Sequence, residues 1–83
     1  MTLLYFAWLR QKLGKSEEMM ALPSGVTDVR GLLAYLRGLD GTYAEAFGDE
    51  SRIRVAVNQC HAGFDQKIAD GDEIAFFPPV TGG

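Results

Sequence analysis

The chain has 83 residues, of which 47% are apolar and 11% aromatic, and its 8 basic against 11 acidic residues leave a net charge of -3. A chain of this length supports one small hydrophobic core, which argues against a second domain or a large composite active site. The acidic balance and the lack of a Lys/Arg cluster argue against nucleic acid as a partner, because phosphate binding needs several cations on one face. They favour protein partners with basic surfaces.

The single cysteine, Cys60, excludes an internal disulfide and a multi-cysteine metal site. Such cysteine usage indicates a reducing compartment, so we expect a cytoplasmic protein. The apolar run at residues 3–9 is short for a secretory signal and lacks a cationic lead-in. No segment approaches the roughly 20 apolar residues of a membrane span, so we expect no membrane partner.

The first third of the sequence predicts a β-hairpin with a short helical turn between its strands. Residues 3–8 are dense in aromatic side chains and predict a central strand that is buried on both faces. Residues 9–13 predict one helical turn that ends at Gly14, because glycine readily adopts the left-handed C-cap. Residues 16–22 predict the second strand, and the Pro-Ser-Gly at 23–25 closes it.

The clearest helix begins after Thr27 or Asp28, either of which provides an N-cap. Helical spacing then places four apolar side chains on one stripe: Val29, Leu32, Leu33 and Leu36. Gly38 is predicted to end the helix. Gly31, inside it, costs about 1 kcal/mol relative to alanine and is predicted to allow close approach to a sheet.

The segment after this helix predicts a second small element and then two strands. Residues 41–48 predict a short helix or a loop with an aromatic anchor. Residues 52–57 alternate strictly, which predicts a half-buried strand with three core-facing side chains: Ile53, Val55 and Val57. Residues 60–64 predict a short strand.

The last strand is predicted at residues 74–77, after an Asp-Gly turn at 70–71. Pro78 and Pro79 end it, because proline cannot donate to a ladder. The resulting order is strand, strand, helix, strand, short strand, strand. An α+β domain, with one main helix packed across one face of a mixed sheet, is the economical architecture for this order.

Residues 1–77 therefore form the predicted domain, and residues 78–83 form an extended C-terminal tail. Two prolines stiffen this tail at about 3.1 Å per residue, so it reaches up to about 20 Å from the domain. Gly82 and Gly83 lack a Cβ atom and can enter a channel that excludes other residues. This geometry suits delivery of a terminal carboxylate to another protein's active site, although frayed ends also collect small residues.

The last fourteen residues read Asp-Gly-Asp-Glu-Ile-Ala-Phe-Phe-Pro-Pro-Val-Thr-Gly-Gly. They resemble the C-terminal signature of the small, sulfur-carrying subunit of molybdopterin synthase, the MoaD family. The Ala-Val-Asn-Gln at residues 56–59, the Phe-Asp at 64–65 and the Phe-Ala at 6–7 with Arg10 resemble that family's other motifs. The resemblance is loose over residues 14–50. It implies the ubiquitin-like β-grasp fold, which agrees with the predicted order of elements.

The resemblance also implies a chemistry for the C-terminus. In the family, a ubiquitin-activating-like adenylyltransferase uses ATP to adenylate the terminal glycine, and a sulfur donor converts the adenylate to a thiocarboxylate. The tail then inserts into the large catalytic subunit of molybdopterin synthase, where its sulfur builds the dithiolene on a cyclic pterin precursor. By this resemblance Gly83 carries the sulfur and Gly82 threads the channel. No permanently bound cofactor, no metal and no catalysis by the chain on its own are expected.

Partner contacts are expected around the base of the tail. Successive strand residues face opposite sides, so Phe76 and Phe77 cannot both be core. The match to the family motif assigns Phe77 to the interface. Arg10 is either a charged contact at the rim or a solvated arginine. The other tail residues are expected to set how far the tail extends and to offer backbone groups for pairing with the partner: Pro78, Pro79, Val80 and Thr81.

Two further features of the sequence are interpreted as structural. Cys60 and His61 are neighbours in an extended segment and face opposite sides, so a nucleophile and base pair is disfavoured. We expect Cys60 to be a small apolar filler and His61 to be exposed. The acidic residues near the last turn lack an EF-hand spacing and are expected to be solvated.

Three functions remain open on this sequence. The leading one is the sulfur carrier of molybdopterin synthase. The second is a carrier for another pathway, such as thiamine thiazole synthesis, or a ubiquitin-like protein modifier. The third is a β-grasp interaction module whose terminal glycines are incidental.

Overall fold

The fold, taken from a computed structural model, is described for residues 1–79. Five strands form one mixed sheet: β1 (Thr2–Tyr5), β2 (Glu17–Met19), β3 (Arg54–Val57), β4 (Cys60–Ala62) and β5 (Glu73–Phe77). Their order across the sheet is β2-β1-β5-β3-β4. The β1 and β5 strands run parallel, and the other three pairs are antiparallel. The central strand is therefore the last one in sequence.

Three helices and one 3-10 turn connect the strands: α1 (Trp8–Leu13), α2 (Val29–Arg37), α3 (Gly41–Phe47) and the turn Glu50–Arg52. The α1 helix ends at Gly14, which has the left-handed φ of 75° that was predicted. The Asp28 carboxylate accepts the Gly31 amide at 2.9 Å and caps α2. Asp40 caps α3 in the same way through the Tyr43 amide at 3.0 Å. Aspartate thus satisfies amides that have no partner within each helix.

The core lies between one face of the sheet and the helices. The α2 stripe is fully buried, as the spacing predicted. The sheet contributes the inward side chains of three strands: Leu3, Tyr5, Val55, Val57, Ile74 and Phe76. The ring centroids of Phe47 and Phe76 are 5.1 Å apart in an edge-on arrangement, and Tyr5 lies about 6 Å from both. This aromatic cluster joins β1, β5 and α3.

Several local predictions were wrong. The β1 strand is buried on one face only, because Thr2 and Leu4 point to the sheet's other face, where they are half-buried. It ends at Tyr5, and β2 has only three residues rather than seven. A Cβ on Gly31 would meet Asp28 at 3.3 Å and Val26 at 3.5 Å, so this glycine adjoins the cap of its own helix and not the sheet.

Cys60 is exposed, so its interpretation as an apolar filler was also wrong. It begins β4 directly after a tight turn in which Asn58 and Gln59 have φ of 51° and 70°. The turn before β5 was expected to carry solvated charges, but hydrogen bonds of one of its carboxylates hold it in place. The Asp72 carboxylate accepts the Ala69 amide at 2.8 Å and the Asn58 side chain at 3.0 Å. Within residues 1–79 no helix is long and apolar enough to cross a bilayer.

Candidate docking site at the base of the tail

The sheet places the end of β5 beside the end of β1. These strands are parallel, with Tyr5 paired to Phe76, so both end at the same edge of the sheet. The Phe6 amide donates to the Phe76 carbonyl at 3.1 Å and extends this pairing by one residue. The chain therefore leaves β5 toward the tail next to the segment that enters α1.

That segment contains a strained turn at Ala7. Ala7 has φ 55° and ψ -129°, a region that glycine occupies readily and other residues rarely do. The Leu9 amide donates to the Phe6 carbonyl at 3.2 Å across the turn. Leu9 is fully buried while Phe6 remains 47% exposed. The turn thus ends β1 and leaves an aromatic ring in solvent beside the base of the tail.

Phe76 and Phe77 divide between the two faces of the sheet. Phe76 is fully buried in the core, and Phe77 is half-buried on the opposite face. The Phe77 ring meets the His61 ring edge-on, with centroids 5.4 Å apart. Arg54 of β3 is the cross-strand partner of Phe77. The predicted division of the two phenylalanines is confirmed, while contact of Phe77 with a partner remains a prediction.

Three arginine side chains lie on the elements that meet at this edge of the sheet. The Arg52 guanidinium lies over the Trp8 ring at 4.4 Å from its centroid, a cation–π arrangement. The Arg54 Nη1 donates to the Ile53 carbonyl at 3.0 Å. Arg10 is exposed on α1. The Asp49 carboxyl has a pKa below its usual value, through hydrogen bonds from Ser51 and, to a smaller extent, the charge of Arg52.

We call Phe6, Trp8, Arg52, Arg54 and Phe77 the tail-base surface. Of the predicted site residues, Pro78 and Pro79 follow β5 and are half-buried, and Arg10 lies on the helix that starts at this edge. The remaining four lie outside the described residues: Val80, Thr81, Gly82 and Gly83.

The sequence reasoning missed four members of the tail-base surface: Phe6, Trp8, Arg52 and Arg54. A signal existed for Arg54, since it alternates with Ile53 and Val55 and therefore faces away from the core. Its proximity to Phe77 required the strand order. The surface offers apolar rings and guanidinium groups, which suit binding to another protein.

A second cluster of polar side chains ties β2 to α3. The Glu18 carboxylate accepts hydrogen bonds from the hydroxyls of Tyr5 and Tyr43, both at 2.8 Å, and Lys15 pairs with it at 3.3 Å. Burial opposes the charge of Glu18, but these three donors together lower the pKa of its carboxyl. Burial first, and then the bond to Glu18, raises the pKa of the Tyr5 phenol. These bonds give the cluster a structural role.

Within residues 1–79 no group of three or more His, Cys, Asp and Glu side chains is arranged to hold a metal ion.

A five-stranded mixed sheet with its main helix packed across one face defines a ubiquitin-like β-grasp protein, and solved structures agree. A molybdopterin converting factor subunit 1 from Pyrococcus furiosus superposes with a TM-score of 0.73 at 33% identity, covering 95% of both chains. The small archaeal modifier protein 1 of Haloferax volcanii superposes with a TM-score of 0.74 at 31% identity, covering 99% of this chain and 97% of that one.

The chain belongs to the ThiS family, whose model matches residues 3–83. A relative from Escherichia coli K12 is 38% identical over 80 residues, covering 96% of this chain and 95% of the relative. One from Haemophilus influenzae is 31% identical over 83 residues, covering 100% and 99%. Both are named molybdopterin synthase sulfur carrier subunit, which confirms the resemblance to the MoaD family.

Proposed function

We propose that this chain is the sulfur-carrier subunit of molybdopterin synthase, with Gly83 as the residue that carries sulfur. The observation that supports this most is the similarity to the E. coli sulfur carrier subunit, 38% identical over 96% of this chain. The family match also extends to residue 83 and so includes the terminal Gly-Gly.

The proposed chemistry takes place at the terminal carboxylate. A carboxylate is a poor electrophile, because its charge is delocalised and the leaving group would be oxide. An oxygen of Gly83 attacks the α-phosphate of ATP on an adenylyltransferase, and pyrophosphate leaves. A donor of sulfide-level sulfur then displaces AMP from the acyl adenylate, which leaves a thiocarboxylate. The sulfur then forms a bond to a cyclic pterin precursor. Water hydrolyses the bond between this sulfur and the Gly83 carbonyl carbon, which returns Gly83 to a carboxylate.

The domain serves as the recognition unit in this proposal. A solved complex of subunits 1 and 2 of molybdopterin-converting factor from Helicobacter pylori shares the fold, at a TM-score of 0.63 and 22% identity. We propose an equivalent large subunit as the partner that receives the tail. Docking of the domain raises the effective concentration of the terminal sulfur at the acceptor, the general advantage of a tethered reactant.

Intact-mass measurement tests the carrier role directly. The chain is incubated with its adenylyltransferase, ATP and a sulfur donor, and we expect one oxygen to be exchanged for sulfur at Gly83. A variant lacking Gly83 should keep its circular dichroism spectrum and melting temperature but deliver no sulfur to the precursor. Failure of the full-length chain to exchange oxygen for sulfur would overturn the proposal.

A ubiquitin-like modifier is the second candidate, because the small archaeal modifier protein 1 is among the similar solved structures. Modification predicts an isopeptide bond between Gly83 and lysines of other proteins. Mass spectrometry of conjugates formed with the activating enzyme separates this function from sulfur delivery. Binding to the large synthase subunit separates the molybdopterin pathway from a thiamine pathway, and an incidental tail predicts neither product.

A further inference from the structure

The charges of this domain are distributed unevenly along its central strand. The chain is acidic overall, with a net charge of -3. At the start of β5, Asp72 and Glu73 provide carboxylates, and Asp70 lies just before them. At the other end of the strand, about 15 Å away for five residues, Phe77 is the cross-strand partner of Arg54, and Arg52 lies two residues before Arg54 in the chain. The local charge where the tail leaves is therefore opposite to the net charge.

These arginines lack the ion pairs that other cationic side chains make. Four of the eight Lys and Arg residues pair with a carboxylate within 4.0 Å: Lys12, Lys15, Arg30 and Arg37. Within residues 1–79, Arg10, Arg52 and Arg54 have no such partner. Three of the four remaining cations are therefore these arginines, which lie on α1, in the 3-10 turn and on β3, respectively.

Two contacts orient these guanidinium groups, and the Asp49 carboxylate, which feels the charge of Arg52, makes no ion pair with it within 4.0 Å. The Trp8 ring lies under Arg52 at 4.4 Å, and the Ile53 carbonyl accepts from Arg54 at 3.0 Å. Arg54 also borders a shallow pocket that is formed with Val55 of β3, Ala62 of β4 and the two residues after β4, Gly63 and Phe64. Aromatic residues and arginine are both enriched at protein interfaces, and the rim of an interface is polar.

We infer that Arg52 and Arg54 form a cationic rim that recognises an acidic surface around the tail-binding channel of the large subunit. This inference rests on the proposed function, which supplies the partner. The net charge of the chain favoured a partner with a basic surface, whereas this inference requires an acidic one. A partner that docks over the tail contacts the local arginines directly, so their charge matters more than the net charge. Opposite charges placed there steer the two proteins together and fix the orientation in which the tail enters.

Binding measurements with charge-reversal variants test this rim. The affinity and association rate of the full-length chain for the purified large subunit are measured by surface plasmon resonance at about 0.05 M and about 0.5 M NaCl. We expect Arg54→Glu to weaken binding about tenfold or more at the lower salt, mainly through slower association, and the difference to shrink at the higher salt. Arg54→Gln removes the charge without reversing it, so its decrease in affinity should be about half as large on a logarithmic scale. Arg52→Glu should weaken binding as much as Arg54→Glu does.

Lys67→Glu is the matched control, because it makes the same change in net charge at an exposed residue next to the start of α2. Its affinity should stay within about twofold of the original chain. Equal losses for Lys67→Glu and Arg54→Glu, or no loss for Arg54→Glu, would show that the rim does not exist. Sulfur exchange at Gly83 is measured on the same variants. If the rim does not exist but the proposed function is correct, this exchange should be unchanged. A chain that exchanges sulfur but does not bind the large subunit contradicts the rim and its assigned partner together.

Discussion

At the scale of single residues, Ala7 carries the least favourable backbone conformation near the tail. Its φ of 55° and ψ of -129° are accessible to glycine with little strain, whereas a Cβ atom raises their energy. The surrounding contacts nevertheless fix it, because the Phe6 amide is bonded to β5 and Leu9 is buried in the core. Strain of this kind is often kept near functional sites, and here it accompanies the exposure of the Phe6 ring.

Substitutions at Ala7 should reveal this strain. We expect Ala7→Gly to raise the free energy of unfolding by up to about 1 kcal/mol, since the relief of strain exceeds the added entropy of the unfolded chain. Ala7→Val should lower it by about 2 kcal/mol, because a β-branched side chain tolerates positive φ poorly. Urea denaturation measures both. Gly14→Ala, at φ 75° in open space, is the control and should cost about 1 kcal/mol. A destabilised Ala7→Gly variant would argue against strain at this turn.

At the scale of elements, the Glu18 cluster explains how a three-residue edge strand is held in place. Among the residues that the structure describes, the β2 strand pairs only with β1. Glu18 points to the core side and bonds to Tyr5 of β1 and Tyr43 of α3, so one carboxylate links three elements. Its neighbour Glu17 lies on the opposite face and is exposed. Short edge strands with charged residues also resist pairing with other chains.

Glu18→Gln should therefore change the pH dependence of stability. The lowered pKa of the Glu18 carboxyl means that its stabilisation is present above the unfolded pKa of about 4.3 and is lost as the pH falls through the lower, folded value. We expect Glu18→Gln to cost about 1–2 kcal/mol at pH 7 and to flatten the loss of stability between about pH 5 and pH 3. Urea denaturation across that range measures the effect.

Glu17→Gln removes the same charge from the exposed face and is the matched control for this cluster. Its stability profile should run parallel to that of the original chain. If the two glutamine variants have the same profile, hydrogen bonding at Glu18 does not determine the acid sensitivity.

At the scale of the whole molecule, we predict that one face of the sheet provides stability and the other provides recognition. Its inner face packs against the helices through the aromatic cluster. Its outer face carries half-buried apolar residues, including Leu4, Ala75 and Phe77, next to the arginines of the tail-base surface. Neighbouring residues of β5 therefore face opposite sides of the sheet, and Pro78 and Pro79 leave the strand at the end where Arg54 lies beside Phe77.

The two phenylalanines test this division. Phe76→Ala should lower the free energy of unfolding by about 3–5 kcal/mol, because it leaves a cavity between β5, Tyr5 and Phe47. That loss is a large part of the total stability of a small domain. Phe77→Ala should cost no more than about 1.5 kcal/mol and should instead weaken binding to the large subunit. Comparable stabilities of the two variants, or undiminished binding by Phe77→Ala, would contradict the division.

Local sequence signals predicted much of the fold. The spacing of the α2 stripe, its aspartate cap and the C-terminal Gly14 of α1 each act within a few residues, so they can be recognised without the tertiary structure. The alternation at Ile53 and Val55 likewise predicted which side chains face the core. The β1 prediction failed because burial of its second face depends on what covers the sheet, and that is not encoded in its own residues.

The sequence by itself determined the α+β class, the division of Phe76 from Phe77 and, through its motifs, the resemblance to the sulfur carriers. The tertiary structure decided which residues lie near the base of the tail. Phe6, Arg54 and Phe77 are far apart in sequence, and they come to the same edge of the sheet because β5 inserts between β1 and β3. Strand order depends on the packing of the whole core, so the cationic edge could be found only after the sheet was assembled.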